Sequence, residues 1–165
     1  MANMTTEILD MVTTKTIHAP IEKVWEAWSN GSIVKQWWGP RIFTAPVAKM
    51  DFRVGGKSLV CMRSPDGFDI YNTWTYTEII PMQQISFIHH FSDKEGNKLN
   101  PSAIGMPPGI PESVPHIITL KPIAIDTTEI TVRESGYTSE QVVALSKAGM
   151  DECLDKMAEC LTNVS

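Results

Sequence analysis

The sequence predicts an α+β fold in which one curved antiparallel sheet is covered by a single long C-terminal helix. Three observations support this prediction. Apolar residues alternate with a period of two between Phe43 and Glu134, turn residues interrupt that region at regular intervals, and a stretch with helical periodicity closes the chain. A sheet of this kind buries one face, and the terminal helix is the only element long enough to cover it.

The first elements are a strand and a short helix. β-branched residues are frequent over residues 7–17, as is typical of a strand. Pro20 then fits the first turn of a helix, where a missing N–H costs nothing. Four apolar residues follow at helical spacing, so we expect them on one buried stripe: Ile21, Val24, Trp25 and Trp28.

A second short helix carries a pair of tryptophans. We expect Ser32 to cap this helix and Gly39-Pro40 to end it just after Trp37-Trp38. Adjacent helical residues point about 100° apart, so both rings cannot face the same side. Trp38 is the one we expect to line a cavity. The alternative is that both rings only anchor the helices on the sheet.

The central region predicts a series of antiparallel hairpins, six or seven strands in all. Its turns fall at residues 55–56, 65–67, 81–83 and 126–128. The clearest strand covers residues 70–80. Its apolar side is expected to carry Ile70, Trp74, Tyr76 and Ile80.

The last element is an amphipathic helix over residues 139–161, about six turns long. Thr138 and Gln141 have the spacing of a capping box, which predicts Thr138 as the N-cap. The apolar stripe of this helix contains Val143, Met150, Leu154, Met157 and Leu161.

A curved sheet is wider than one helix, which is about 10 Å across, so part of its apolar face stays open or is filled by large side chains. We therefore expect a cavity between helix and sheet. The residues predicted to line it are Trp38, Phe43, Met62, Trp74, Tyr76, Phe87, His89, His116, Met150 and Met157. A proline-rich loop over residues 99–116 is either a lid over this cavity or a passive connector.

His116 and Glu134 are the only acid–base pair that the predicted strands bring together. If Ile118 pairs with Val132 across a hairpin, His116 lies opposite Glu134. A shift of one residue in this register would place Glu134 on the outer face. The pair is therefore a weak candidate for catalysis, and a structural role is the alternative.

Composition excludes several classes of function. The formal charge of −5 repels nucleic acids and anionic membranes, and no apolar run is long enough for membrane insertion. Cys61, Cys153 and Cys160 form no motif for a disulfide or a zinc site, so we expect a reducing, cytoplasmic location and no metal. No glycine-rich phosphate loop or nucleophile elbow is present, so we expect no cofactor.

The ordered motifs of the chain resemble those of a known family. In chain order they are Ala19-Pro20-x-x-x-Val24-Trp25-x-Ala27-Trp28, Trp37-Trp38-Gly39-Pro40, Asp51-x-Arg53-x-Gly55-Gly56, Pro65-Asp66-Gly67 and Tyr76-x-Glu78-Ile79. The chain resembles the bacterial stand-alone domains similar to the C-terminal domain of the activator of the 90-kDa heat-shock protein ATPase. The resemblance covers residues 13–161.

That family belongs to the helix-grip superfamily (SRPBCC, START-like), which includes birch-pollen-allergen-like proteins, lipid-transfer domains and polyketide cyclases. The resemblance implies a single helix-grip domain over residues 1–165, with its core at about 8–161. Members of the superfamily bind lipids, hormones and polyketides or catalyse reactions on them. The eukaryotic co-chaperone resembles this chain only in its C-terminal half, so we do not expect chaperone activation here.

Three alternative functions are considered. The first is binding of a small hydrophobic or amphipathic molecule in the cavity, which we expect rather than catalysis. The second is a cofactor-free enzyme that acts on such a ligand through His116 and Glu134. The third is a chaperone-regulating interaction module, for which a large exposed apolar patch would be the sign. A homodimer is compatible with the sequence, which carries no signal for the oligomeric state.

Overall fold

The computed structural model describes residues 4–162 and confirms the predicted helix-grip fold. Seven antiparallel strands form one sheet in the order β1-β7-β6-β5-β4-β3-β2. The strands are β1 (Met4–Ile17), β2 (Thr44–Lys49), β3 (Lys57–Arg63), β4 (Asp69–Ile80), β5 (Gln84–Ser92), β6 (Val114–Ala124) and β7 (Thr127–Ser139). The helices are α1 (Ile21–Ser29), α2 (Gly31–Trp37) and α3 (Glu140–Thr162), with a 3₁₀ turn at Pro101–Ile104.

The order of the strands follows from short connections. Strands β2 to β6 each pair with the next strand along the chain, as successive hairpins do. β1 instead pairs with β7, so β1 and β2 lie at opposite edges. The chain crosses from one edge to the other through α1 and α2.

Tryptophans close the two short helices onto the sheet. The ring of Trp28 lies 4.6 Å from Trp37 and 5.8 Å from Trp74, measured between centroids, and Trp38 lies 5.1 Å from Trp74. Nε1 of Trp37 donates a hydrogen bond to the carbonyl of Ala27 at 2.9 Å, which fixes α2 against α1. All four rings are buried, so this end of the sheet is filled by aromatic side chains.

Two predicted helix caps are wrong by one or two residues. The cap of α2 is Asn30, whose side chain accepts from the backbone N–H of Ser32, and the helix begins at Gly31. A Cβ at Gly31 would lie 2.5 Å from the carbonyl oxygen of Ala48, so only glycine permits this close contact with β2.

The cap of α3 is Ser139 and not Thr138. Oγ of Ser139 accepts from the backbone N–H of Val142 at 3.3 Å. Thr138 still belongs to β7, and its N–H donates to the carbonyl of Gly109 at 3.0 Å. The strand therefore runs directly into the helix.

A β-bulge changes the faces of β4. The register with β5 shifts between Tyr76 and Glu78, so Thr77 is an extra residue in this strand. Ile79 consequently packs against the core, whereas Ile80 lies on the outer face with 36% of its surface exposed. The prediction that Ile80 shares the inner face with Trp74 is therefore wrong.

Candidate functional site

A cavity of about 270 Å³ lies between α3, the inner face of the sheet and the loop before β6. Its wall is mostly apolar and carries a few polar side chains. The residues that line it are Trp38, Pro40, Met62, Ile70, His89, Phe91, Met106, Pro107, Ile110, Val114, His116, Glu134, Tyr137, Val142, Leu145, Ser146, Gly149, Met150 and Cys153.

His116 and Glu134 meet on this wall as the strand register predicts. The two residues are partners across β6 and β7, and Ile118 pairs with Val132. Nε2 of His116 lies 3.1 Å from Oε2 of Glu134, and both side chains are about 95% buried. The alternative register, with Glu134 on the outer face, is excluded.

Glu134 also accepts two hydroxyl hydrogen bonds. Oη of Tyr137 donates to Oε1 at 2.5 Å, and Oγ of Ser146 on α3 donates to the same oxygen. Burial alone raises the pKa of a carboxyl group, but here the charge and hydrogen bond of His116 and the two hydroxyls outweigh it. The pKa of Glu134 is lowered to about 2, so the group is a carboxylate at neutral pH.

Both ring nitrogens of His116 have partners. Nδ1 lies 3.0 Å from the carbonyl oxygen of Val114, and because a carbonyl only accepts, Nδ1 carries a proton. Nε2 faces the ionised Glu134 and donates to it. The pair is thus an imidazolium and a carboxylate, whose charges compensate each other inside the wall.

His89 extends a column of stacked rings that ends at the cavity. Phe87 stacks on Trp74 with centroids 4.9 Å apart, His116 stacks on Phe87 at 4.9 Å, and His89 stacks on His116 at 5.2 Å. The ring of His89 makes no hydrogen bond to another residue in the described range 4–162. Burial and the charge of His116 lower the pKa of His89 to about 3, so this imidazole is neutral at pH 7.

The structure brings some of the predicted lining residues together and places others elsewhere. Those on the cavity wall are Trp38, Met62, His89, His116 and Met150, with Glu134 beside them. Those in the closed core are Trp74, Tyr76, Phe87 and Met157, each at most 2% exposed.

The physical reason for this difference is that other elements cover the core residues. Trp28 and Trp38 lie against Trp74, and Phe52 lies 5.1 Å from Tyr76. Phe43 is half-buried and lies off the wall, although its carbonyl accepts from Nζ of Lys156 on α3.

The sequence prediction missed Tyr137 because a second bulge interrupts β7. Asp10 pairs with Ser135 and Leu9 pairs with Tyr137, so Gly136 is the extra residue. Its φ of +107° is accessible to glycine and rarely to other residues. With Gly136 inserted, Glu134 and Tyr137 both face inward although they are three residues apart. The glycine itself was the only available signal.

The residues of α3 that line the cavity lie on a face of the helix next to the predicted one. Val143, expected on the inner stripe of α3, is only partly buried and lies off the cavity wall. The residues of α3 that line the cavity are Val142, Leu145, Ser146, Gly149, Met150 and Cys153. Val142, Ser146, Gly149 and Cys153 have spacings of 4, 3 and 4, a helical signal that small and polar members concealed.

The proline-rich loop forms part of the cavity wall. Met106, Pro107 and Ile110 face the cavity. The loop is fixed at Gly109, where the carbonyl accepts from Thr138 and an added Cβ would lie 2.6 Å from Cβ of Ser139. This contact joins the loop to the junction of β7 and α3.

Other chemistries find little support among the described residues 4–162. This range contains no group of three or more His, Cys, Asp or Glu side chains arranged to hold a metal ion. None of its helices combines the length and the apolar character that a membrane crossing requires. Burial raises the pKa of the Cys153 thiol to about 12, so this wall residue is not a thiolate nucleophile at neutral pH.

Comparison with known proteins identifies the family. Residues 18–162 match the model of the family described as Activator of Hsp90 ATPase homolog 1-like protein. The chain belongs to this family. A comparison with curated protein sequences gave no match.

Solved structures share the fold of this family member at low sequence identity. A protein from Arthrobacter aurescens has a TM-score of 0.78 and 23% identity, with 95% of this chain and 88% of that chain covered. A protein from Chromobacterium violaceum has a TM-score of 0.74 and 19% identity, with coverages of 92% and 96%. The AHSA1 protein from Silicibacter pomeroyi has a TM-score of 0.74 and 17% identity, with coverages of 93% and 98%.

Proposed function

We propose that this protein binds a small hydrophobic or amphipathic molecule in the cavity between α3 and the sheet. The observation that carries the proposal is a mostly apolar cavity of about 270 Å³ with a polar cluster on its wall. Small-molecule sites typically have volumes of about 300–1,000 Å³, so the occupant is expected to be at the small end of this range. Family membership supports the same function, because the helix-grip superfamily includes members that bind lipids, hormones and polyketides.

A fluorescent probe and a pair of leucine variants on α3 test the proposal. N-phenyl-1-naphthylamine is apolar and gains fluorescence in apolar surroundings. Gly149 lines the cavity, whereas the neighbouring Ala148 is exposed on the outer side of α3. We expect Gly149→Leu to weaken probe binding at least tenfold because the new side chain occupies the cavity, and Ala148→Leu to bind like the wild type.

Circular dichroism would show that both variants retain the fold. The proposal would be contradicted if the wild-type protein did not bind this probe and carried no bound apolar molecule through native purification. Equal binding by Gly149→Leu and the wild type would place the bound probe outside the cavity.

Catalysis by His116 and Glu134 is the second candidate function. It is favoured by the direct contact of the two groups at 3.1 Å on the cavity wall. Against it, Nδ1 of His116 is held by a carbonyl, so a proton reaches a substrate only if the Nε2 contact with Glu134 opens. Mass spectrometry of a small-molecule extract incubated with the wild type or with Glu134→Gln tests it. A product formed only by the wild type would support catalysis.

Regulation of a chaperone ATPase is a third candidate, suggested by the name of the family alone. Stimulation of the ATPase of a purified 90-kDa heat-shock protein by this chain would support it. We also propose a reducing, cytoplasmic location, because Cys61, Cys153 and Cys160 are all free thiols.

A further inference from the structure

The charged pair on the cavity wall, His116 and Glu134, has little unused hydrogen-bonding capacity. Oε1 of Glu134 already accepts from Tyr137 and Ser146, and Oε2 accepts from His116. The second nitrogen of His116 donates to the carbonyl of Val114. A ligand therefore meets few free sites on these two groups.

His89 is different, because no other residue in the described part of the chain satisfies the hydrogen-bonding capacity of its ring. The residue is only 9% exposed and lines the cavity. Its ring makes no hydrogen bond to another residue in the described part of the chain. An imidazole that is buried without a partner loses its hydrogen bonds to water, which costs free energy unless a ligand replaces them. A neutral imidazole offers one donor and one acceptor.

The hydroxyls of Tyr137 and Ser146 add acceptors on the same cavity wall. Each hydroxyl donates its proton to Glu134, so the lone pairs on its oxygen are left for a donor from a ligand. The two oxygens lie 3.3 Å apart and act as one polar patch. The wall thus offers both a hydrogen-bond donor and acceptors. These suit a ligand group that can itself both donate and accept.

The charges of the wall argue against an ionised ligand. Among the groups that line the cavity, the titratable ones are His89, His116, Glu134, Tyr137 and Cys153. The charged members, His116 and Glu134, are paired with each other. A carboxylate or an ammonium group would lose its hydration with no unpaired opposite charge to replace it.

We propose that His89, Tyr137 and Ser146 form a subsite for a neutral hydroxyl group, so that the preferred ligand is an apolar alcohol or phenol. A hydroxyl group donates and accepts at once, which matches the imidazole of His89 on one side and the two hydroxyl oxygens on the other. This inference rests on the proposed binding function and adds the chemical class of the ligand.

Four probes that share one apolar body and differ in a single substituent test the inference. They are naphthalene, 2-naphthol, 2-naphthoate and 2-naphthylmethylammonium, measured by equilibrium dialysis at pH 7. One net hydrogen bond corresponds to roughly a three- to tenfold change in affinity. We expect 2-naphthol to bind about three- to tenfold more tightly than naphthalene, and both ions to bind more weakly than naphthalene.

His89→Phe and His90→Phe form a matched pair of variants. His89→Phe keeps a ring in the stacked column but removes the nitrogens, so we expect it to lose the preference for 2-naphthol and to keep its affinity for naphthalene. His90 lies on the opposite face of β5, where its Nε2 contacts Oγ of Ser113. We expect His90→Phe to retain the preference.

The outcomes separate the subsite from the binding function. Equal affinity of the wild type for naphthalene and 2-naphthol would overturn the subsite and leave ligand binding intact. Tightest binding of 2-naphthoate or of the ammonium probe would also overturn it. The same loss in His90→Phe as in His89→Phe would assign the effect to strand β5 rather than to the His89 nitrogens. If none of the four probes binds, the proposed function fails together with the subsite.

Discussion

The two ends of the inner sheet face differ in how their space is filled. At one end, Trp28 of α1 and Trp38 at the end of α2 pack against Trp74, and these buried rings fill the space over the sheet. At the other end, α3 and the proline-rich loop cover the sheet with smaller and more flexible side chains such as Met150 and Met106. The same strands supply both ends. The difference teaches that the covering elements, and not the sheet, decide where the fold is a core and where it is a site.

Truncation of a core ring is the strongest way to test this contrast. We expect Trp74→Ala to lower the free energy of unfolding by about 3–5 kcal/mol, because its neighbours are rigid rings that cannot close the space. Met62→Ala on the cavity wall should cost about 2 kcal/mol or less, since Met62 already borders open space. Urea denaturation measures both. Equal losses would contradict the division into a filled end and an open end.

Removal of one partner from the charged pair should have the next largest effect. We expect Glu134→Gln to lower the free energy of unfolding by about 3 kcal/mol, because it leaves the buried His116 without its counter-charge. The double variant His116→Phe with Glu134→Leu should recover part of this loss, since no buried charge remains. A double variant less stable than Glu134→Gln alone would show that the pair stabilises the fold beyond charge compensation.

Acid should destabilise the protein because it protonates His89, the ring at the cavity end of the stacked column. The pKa of His89 is about 3 in the folded chain and near 6.5 in the unfolded chain, so the unfolded state binds this proton first as the pH falls. His116, Glu134 and His90 are the titratable groups that act on it. Each pH unit below 6.5 should cost about 1.4 kcal/mol, or about 2 kcal/mol at pH 5.

Glu134 adds to this loss only at lower pH. Its folded pKa of about 2 lies below its ordinary value of 4.5, so its contribution is complete above pH 4.5 and falls below it. His89→Phe should therefore flatten the stability profile between pH 6.5 and 4.5 and leave the steeper part below 4.5. Thermal unfolding across this pH range measures the profile. An unchanged slope in His89→Phe would remove His89 as the cause.

How much of the site the sequence predicts depends on how regular each strand is. His116 and Glu134 were placed correctly because the β6–β7 hairpin alternates without interruption from Ile118 and Val132 to the pair. Ile80 and Tyr137 were not, because each follows a bulge that inserts one residue and reverses the faces.

The alternation of side chains along a strand predicts which face of the sheet a residue lies on, but it does not predict what surrounds the residue there. Trp74 and Phe87 do face inward as predicted, yet they are covered by tryptophans of α1 and α2 or by neighbouring rings. Whether an inward residue borders a cavity depends on contacts between distant elements, which one sequence does not specify. The fold class, by contrast, depends on element order and periodicity, and both are local properties of the sequence.

Alanine substitutions at two helical glycines, one at each end, are expected to have the smallest effect on stability. A Cβ at Gly149 meets only Cγ of Pro40, at 3.9 Å, so Gly149→Ala should raise the free energy of unfolding by up to about 1 kcal/mol through helix propensity. The same substitution at Gly31 brings the Cβ to 2.5 Å from a backbone oxygen and should destabilise. Thermal unfolding compares the two. A destabilised Gly149→Ala would mean that the open end is packed more tightly than its contacts indicate.

The single inserted residue Gly136 has a consequence for how this fold acquires new ligands. Because it turns Tyr137 toward Glu134, one residue of extra chain length changes which polar groups a pocket displays, while the seven-stranded scaffold keeps its order. Relatives that differ by one residue in this strand would therefore present different pockets on the same framework. A change in length at a strand bulge is, in this architecture, a route to new chemical specificity that leaves the order of the strands unchanged.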